Sequence, residues 1–125
     1  MLPRKHRLTR SRDFQRVRRE GRSWADRLLV LSRAPNDLKV SRFGFSVSRR
    51  IGGAVVRNRI RRLLREAVRL QCDRVAPGWD VVFIARQGIV GADYWAVESS
   101  VARLLRLAGL HRSPEWPGAG TGQDG

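Results

Sequence analysis

Residues 54–70 read Ala54-Val55-Val56-Arg57-Asn58-Arg59-Ile60-Arg61-Arg62-Leu63-Leu64-Arg65-Glu66-Ala67-Val68-Arg69-Leu70. At about 100° per residue, Val56, Ile60, Leu63, Leu64, Ala67, Val68 and Leu70 fall within an arc of roughly 160°. That is the core-facing stripe of an amphipathic helix. Arg57, Asn58, Arg61, Arg62, Arg65 and Arg69 fill the adjoining arc, and Arg59 lies beyond the other edge of the stripe. Arg57, Arg61, Arg65 and Arg69 form a ladder of like charges four apart, each pair unfavourable by about a few tenths of a kcal/mol. Glu66 is the only acid among them. A merely solvated face would intersperse carboxylates, so this one reads as a surface for phosphate, which the planar guanidinium fork matches. Asn58 both donates and accepts, and so suits a 2′-hydroxyl or a base edge.

The helix sets the reading of its flanks. Gly52-Gly53 before it lets another backbone come close and leaves amide donors at the positive helix end. Residues 42–50 (Arg-Phe-Gly-Phe-Ser-Val-Ser-Arg-Arg) alternate, with Phe43, Phe45 and Val47 on one face and Gly44, Ser46 and Ser48 on the other. This predicts a half-buried strand with a small, polar outer face. Ser23 to Arg33 reads as one strand, Ala34-Pro35-Asn36-Asp37 as a turn, and the two strands as an antiparallel pair. Further upstream, Ser11 to Gly21 is a short helix with Ser11 as N-cap, Gly21 as its stop, and Phe14 and Val17 on one face. Asp13 reads as a helix cap. Residues 1–10 form an extended, basic lead-in. Downstream, 73–78 is a loop, 80–86 a continuous apolar central strand, and 93–107 a final helix packing through Trp95, Val101, Leu104, Leu105 and Ala108. The expected order is α-β-β-α-β-α. This is an α+β domain over 1–110 with one sheet of three or four strands packed with helices, followed by a disordered Pro/Gly-rich tail over 111–125.

Composition limits the partners. The 125 residues carry 26 basic and 11 acidic side chains, a net charge of +15, with Lys5 and Lys39 the only lysines. A GC-rich genome favours arginine codons, which explains Arg in place of Lys but not the excess of charge. Residues 1–70 hold 21 basic and five acidic side chains, and so carry the whole excess. Such a field attracts polyanions, nucleic acid first among them. An anionic membrane is the rival, but the 54–70 helix lacks the aromatic side chains of an interfacial helix. No apolar run reaches the ~18 residues of a membrane span, and the N-terminus has no apolar core of a secretory signal. Cytoplasmic localisation is expected.

Catalytic equipment is sparse. His6 and His111 lie near the ends, and no paired-carboxylate or HExxH spacing occurs. The single cysteine, Cys72, has no Cys or His neighbour in sequence and reads as a buried thiol. A protein-only nuclease is therefore disfavoured. A free-standing, ribosome-associated RNA-binding module without a nuclease role of its own is one reading of these residues.

The stretch Phe45-Ser46-Val47-Ser48-Arg49-Arg50-Ile51-Gly52-Gly53-Ala54-Val55-Val56-Arg57-Asn58-Arg59-Ile60-Arg61-Arg62-Leu63-Leu64-Arg65-Glu66 resembles the signature of the bacterial ribonuclease P protein subunit, whose hallmark is Arg-Asn-Arg, here Arg57-Asn58-Arg59. Asp13-Phe14 with Gly21 resembles the first helix of that family, and 80–86 its last strand. The likeness runs from about Leu8 to Leu107. It implies an α+β fold with a left-handed βαβ crossover. It also implies a subunit that binds a catalytic RNA and helps remove the 5′ leader of precursor tRNA, with catalysis and Mg²⁺ residing in the RNA and no protein partner evident. Carried over by position, Arg49, Arg50, Arg57, Asn58, Arg59, Arg61, Arg62, Arg65 and Arg69 would hold RNA. Phe14 and Phe45, with Arg10, would line a leader cleft between the sheet and the Arg-Asn-Arg helix, although for both rings a core role is equally open. Two departures stand out. Gly53 occupies a place where many members have Lys, and Ser32 and Arg33 occupy one where an aromatic is often found.

Overall fold

A computed structural model describes residues 2–111. Its strands are β1 (Arg22–Ala25), β2 (Leu29–Pro35), β3 (Arg42–Ser46) and β4 (Trp79–Ala85), and its helices α1 (Ser11–Glu20), α2 (Ala54–Arg69) and α3 (Tyr94–Leu107). The strands form one sheet in the order β1-β2-β4-β3.

The stretch expected as a single strand over 23–33 is a hairpin. Asp26 breaks it: its Oδ1 accepts from the amides of Leu28 (2.9 Å) and Leu29 (3.0 Å), an Asx turn that reverses the chain. The expected pairing of β2 with β3 is also wrong. β4 lies between them, antiparallel to β2 and parallel to β3. Its Val81, Val82 and Phe83 are fully buried, facing alternate sides of the sheet, and a strand apolar on both faces belongs at the centre. β3 and β4 are joined through α2 as a βαβ unit. Strand β2 runs on to Pro35, so the turn begins later than the Ala34-Pro35 cluster suggests.

Helices cover both faces. Phe14 and Val17 of α1 pack with Leu8, Ala34, Val82 and Ile84. Gly44 belongs to this face and is covered by Phe14 of α1, while Ser46 farther along it stays half-exposed. A Cβ on Gly44 would stand 2.4 Å from Cζ of Phe14. On the other face, Leu29, Leu31, Phe43, Val81 and Phe83 meet Ile60, Leu64 and Val68 of α2 and Val97, Val101, Leu104 and Leu105 of α3. The apolar stripe of α2 is narrower than expected: Leu70 is 55% and Val56 36% exposed. Trp95, expected in the core, is 70% exposed. Asp93 caps α3, accepting from the amide of Ala96 at 2.9 Å.

Neither Ser11 nor Asp13 caps α1. Arg10 holds the cap position without a side-chain bond, and Asp13 instead lies 3.7 Å from Arg42 and 3.9 Å from Arg16. Gly21 follows the helix in an extended conformation, and the position requires glycine because a Cβ there would meet the carbonyl oxygens of Arg33 and Val17, each at 2.4 Å. The lead-in is a built part of the fold. After a short 3₁₀ turn at Arg4–His6, Arg7 bridges Phe43 in parallel and Leu8 donates to the Phe43 carbonyl at 2.9 Å. The outer edge of β3 is thereby covered. His111, placed in the tail by sequence, bridges Val75; the rest of the expected tail, 112–125, lies outside the described residues.

Candidate nucleic-acid interface

The α2 helix anchors itself through Ile60, Leu64, Ala67 and Val68 and turns its arginines outward. Asn58, Arg59, Arg62 and Arg65 are exposed, and Arg57 and Arg61 half-buried. Arg57 is braced across the helix start, its Nε donating to the Gly52 carbonyl at 3.1 Å. Arg61 reaches back to Oδ1 of Asn58 at 3.3 Å. Among the described residues no carboxylate pairs with Arg57, Arg59, Arg61, Arg62 or Arg65. Arg69 departs from the expected row. It closes a two-bonded fork on Glu66, Nε to Oε1 at 3.1 Å and Nη2 to Oε2 at 2.6 Å, and is withdrawn from the face. The hydrogen bonds and charge of this pair hold the Glu66 carboxyl below its ordinary pKa.

Arg49 and Arg50 lie exposed in a 3₁₀ turn between β3 and α2. Ser48 fixes that turn by accepting from the Arg50 amide at 3.1 Å. Eight exposed or half-exposed residues assigned from sequence, from Arg49 to Arg65, thus occupy this turn and the outer face of the helix that follows it. Gly53, the departure from the Lys pattern, opens onto free space.

Between α2, β3 and the N-terminal segment lies a cleft of about 400 Å³, lined by Leu2, Arg7, Leu8, Thr9, Phe14, Phe43, Phe45, Arg61 and Arg65. Its apolar floor and guanidinium rim suit a strand that offers both bases and phosphates. Phe14 and Phe45 both reach it, but from opposite faces of the sheet. Phe45 stacks on Phe83, centroids 6.1 Å apart at 13°, and so is half engaged in the core. Phe14 lies over Gly44 on the α1 side, where Val30, Ser46 and Ile84 stay half-exposed beside the exposed Gln15 and Arg18. Arg10 is exposed but is not among the lining residues. Arg7 and Thr9 take its place, and sequence reasoning missed them because the lead-in shows no periodicity.

Sequence reasoning also missed a buried anchor between α1 and the sheet. Asp80, fully buried, accepts from Arg42 (Nε 2.9 Å, Nη2 2.8 Å), from Asn36 (3.0 Å) and from Arg16. It ties α1 to β3 and β4. At the departure site Ser32 is buried and shares a 2.7 Å hydrogen bond with Ser23, while Arg33 lies against two indoles. Cys72 is buried, and burial pushes its thiol pKa up, away from the reactive thiolate. The carboxylates of Asp13, Asp80 and Glu66 are all engaged by arginine. They do not fit a Mg²⁺ site.

Comparison with known proteins gives one consistent answer. The family described as Ribonuclease P matches residues 2–109. The chain is similar to the ribonuclease P protein component of Roseiflexus castenholzii, 50% identical over 110 residues that cover 87% of this chain and 90% of the relative. It is also similar to that of Herpetosiphon aurantiacus, 46% identical over 116 residues that cover 93% and 94%. Among solved structures, the RNase P protein of Staphylococcus aureus superposes with a TM-score of 0.79 at 30% identity, covering 86% of this chain and 98% of that one. The RNase P protein from Thermotoga maritima gives 0.75 at 31%, covering 81% and 96%.

Proposed function

Because the chain belongs to the bacterial ribonuclease P protein family, we propose that it binds the catalytic RNA of that enzyme and assists Mg²⁺-dependent removal of the 5′ leader from precursor tRNA in the cytoplasm. One observation carries this reading: the row Arg57, Arg61, Arg65, with Arg59 and Arg62 beside it, which no carboxylate of the described residues neutralises. Clustered unpaired guanidiniums repel one another, and a phosphate backbone relieves that repulsion while releasing its counterions. Arg49, Arg50 and Asn58 extend the same surface toward the RNA.

The leader strand enters at the cleft beside β3. Phe14 is the ring placed to meet it, since it stands where the cleft adjoins the half-open α1 side of the sheet; Phe45 serves chiefly as floor, and Arg10 as an outlying charge. The protein supplies charge neutralisation and orientation. Mg²⁺ chemistry is assigned to the RNA, and no step is assigned to a side chain of this chain.

Two experiments test the reading. RNA that copurifies with the chain from its own cells is sequenced; one dominant structured RNA is expected, whereas mixed ribosomal RNA indicates a free-standing RNA-binding module. The purified chain is also incubated with precursor tRNA and Mg²⁺ in the absence of other RNA. No cleavage is expected, and cleavage there overturns the cofactor role.

A further inference from the structure

Arg22 and Arg33 are register partners across β1 and β2. Like charges directly opposite in neighbouring strands are destabilising, and no carboxylate of the described residues pairs with either. Indole faces hold them instead. Arg33 lies 4.1 Å from the ring centroid of Trp79 and 5.2 Å from that of Trp24, and Arg22 lies 5.5 Å from Trp24. Arg22 is exposed; Arg33, Trp24 and Trp79 are half-buried. The Nε of Arg33 is buried without a hydrogen-bond partner. None of the four residues lines the cleft.

We propose that Arg22 and Arg33, braced by Trp24 and Trp79, form a second RNA-contact site that takes one backbone phosphate at the open end of the β1–β2 hairpin. An indole fixes a guanidinium without neutralising it. The terminal nitrogens of two neighbouring forks are therefore pre-positioned, at little further entropic loss, for an anion with several acceptor oxygens. Burial first, and then the Arg22 charge, lower the Arg33 pKa, so an anion bound between the two has a charge imbalance to relieve. The site requires RNA to be the partner, as proposed above, but not that α2 be its only contact face.

The test uses the full chain with Trp95→Phe and Trp116→Phe, so that Trp24 and Trp79 are the remaining indoles. A short oligouridylate is titrated at several salt concentrations, following both affinity and tryptophan emission. Binding is expected to shift the emission. Arg22→Gln, which removes an exposed guanidinium that forms no ion pair among the described residues, is expected to abolish the shift and to flatten the logarithmic salt slope by about one unit. Arg33→Gln is measured beside it, with thermal unfolding as a control for folding. RNA binding with unmoved emission, and with unchanged affinity and slope in Arg22→Gln, overturns the site while leaving the α2 reading intact. A lowered melting temperature with unaltered RNA binding overturns it likewise. Failure of the parent chain to bind RNA at all removes both readings.

Discussion

Arg42 grips the buried carboxylate of Asp80 with both arms of its guanidinium, Nε to Oδ1 at 2.9 Å and Nη2 to Oδ2 at 2.8 Å. Arg16 of α1 reaches the same carboxylate, so a single acid ties a helix to two parallel strands. Removing one partner of a buried pair leaves the others uncompensated. Asp80→Asn is therefore expected to lower folding stability by about 3 kcal/mol, measured by urea unfolding. A loss below about 1 kcal/mol would show that the network is dispensable.

The contact between Gly44 and Phe14 makes a second prediction. A methyl at Gly44 cannot coexist with the present position of the Phe14 ring, whose Cζ would lie 2.4 Å away. Gly44→Ala is expected to displace the ring, to lower stability by about 1–3 kcal/mol, and to weaken binding of a leader-bearing precursor more than that of mature tRNA. Phe14→Ala should reproduce the binding effect, and Phe45→Ala should act mainly on stability. Equal losses for both tRNA species would remove Phe14 from the leader path.

A third prediction separates members of the arginine ladder. Arg57→Ala and Arg61→Ala are each expected to flatten the salt slope of RNA binding by about one unit. Arg69→Ala should leave it unchanged, because Arg69 is already bound to Glu66. A slope altered equally by all three would deny the distinction between free and paired guanidiniums.

Much of this surface is legible in the sequence. The 3.6-residue period of 54–70 fixes which side is anchored, and once the helix is anchored its arginines have only solvent to face. The strand order was hidden, because β2 and β3 look like a hairpin locally and only the two-sided burial of Val81, Val82 and Phe83 puts β4 between them. Asp26 was hidden for another reason. Within Ser23–Arg33 it reads as one polar residue in a strand, and its role depends on Ser100 and Arg103, more than seventy positions away, which meet its Oδ2 at 2.7 and 2.6 Å. The pairing of Arg69 with Glu66 is local and could have been read from the i,i+3 spacing.

Asp26 also makes a prediction about pH. Burial acts to raise its pKa, but the Ser100 hydroxyl, the Leu29 and Leu28 amides and the Arg103 charge together bring it below the ordinary value of 3.8. A carboxylate with a depressed folded pKa stabilises the fold above its unfolded pKa, and that contribution fades as pH falls through the folded value. Stability is thus expected to decline as pH drops below the ordinary aspartate range. Asp26→Asn should be less stable at neutral pH and show a shallower acid decline, followed by thermal unfolding across pH. Parallel pH profiles for the two proteins would contradict this assignment.

The most direct measurement of the central claim is reconstitution with the cognate catalytic RNA at low Mg²⁺, following leader removal from precursor tRNA. The native chain is expected to restore cleavage that the RNA alone performs poorly, and a folded Arg57→Ala, Arg61→Ala, Arg65→Ala variant is expected to restore little of it. Equal stimulation by the two proteins, or none by the native chain, would contradict the account.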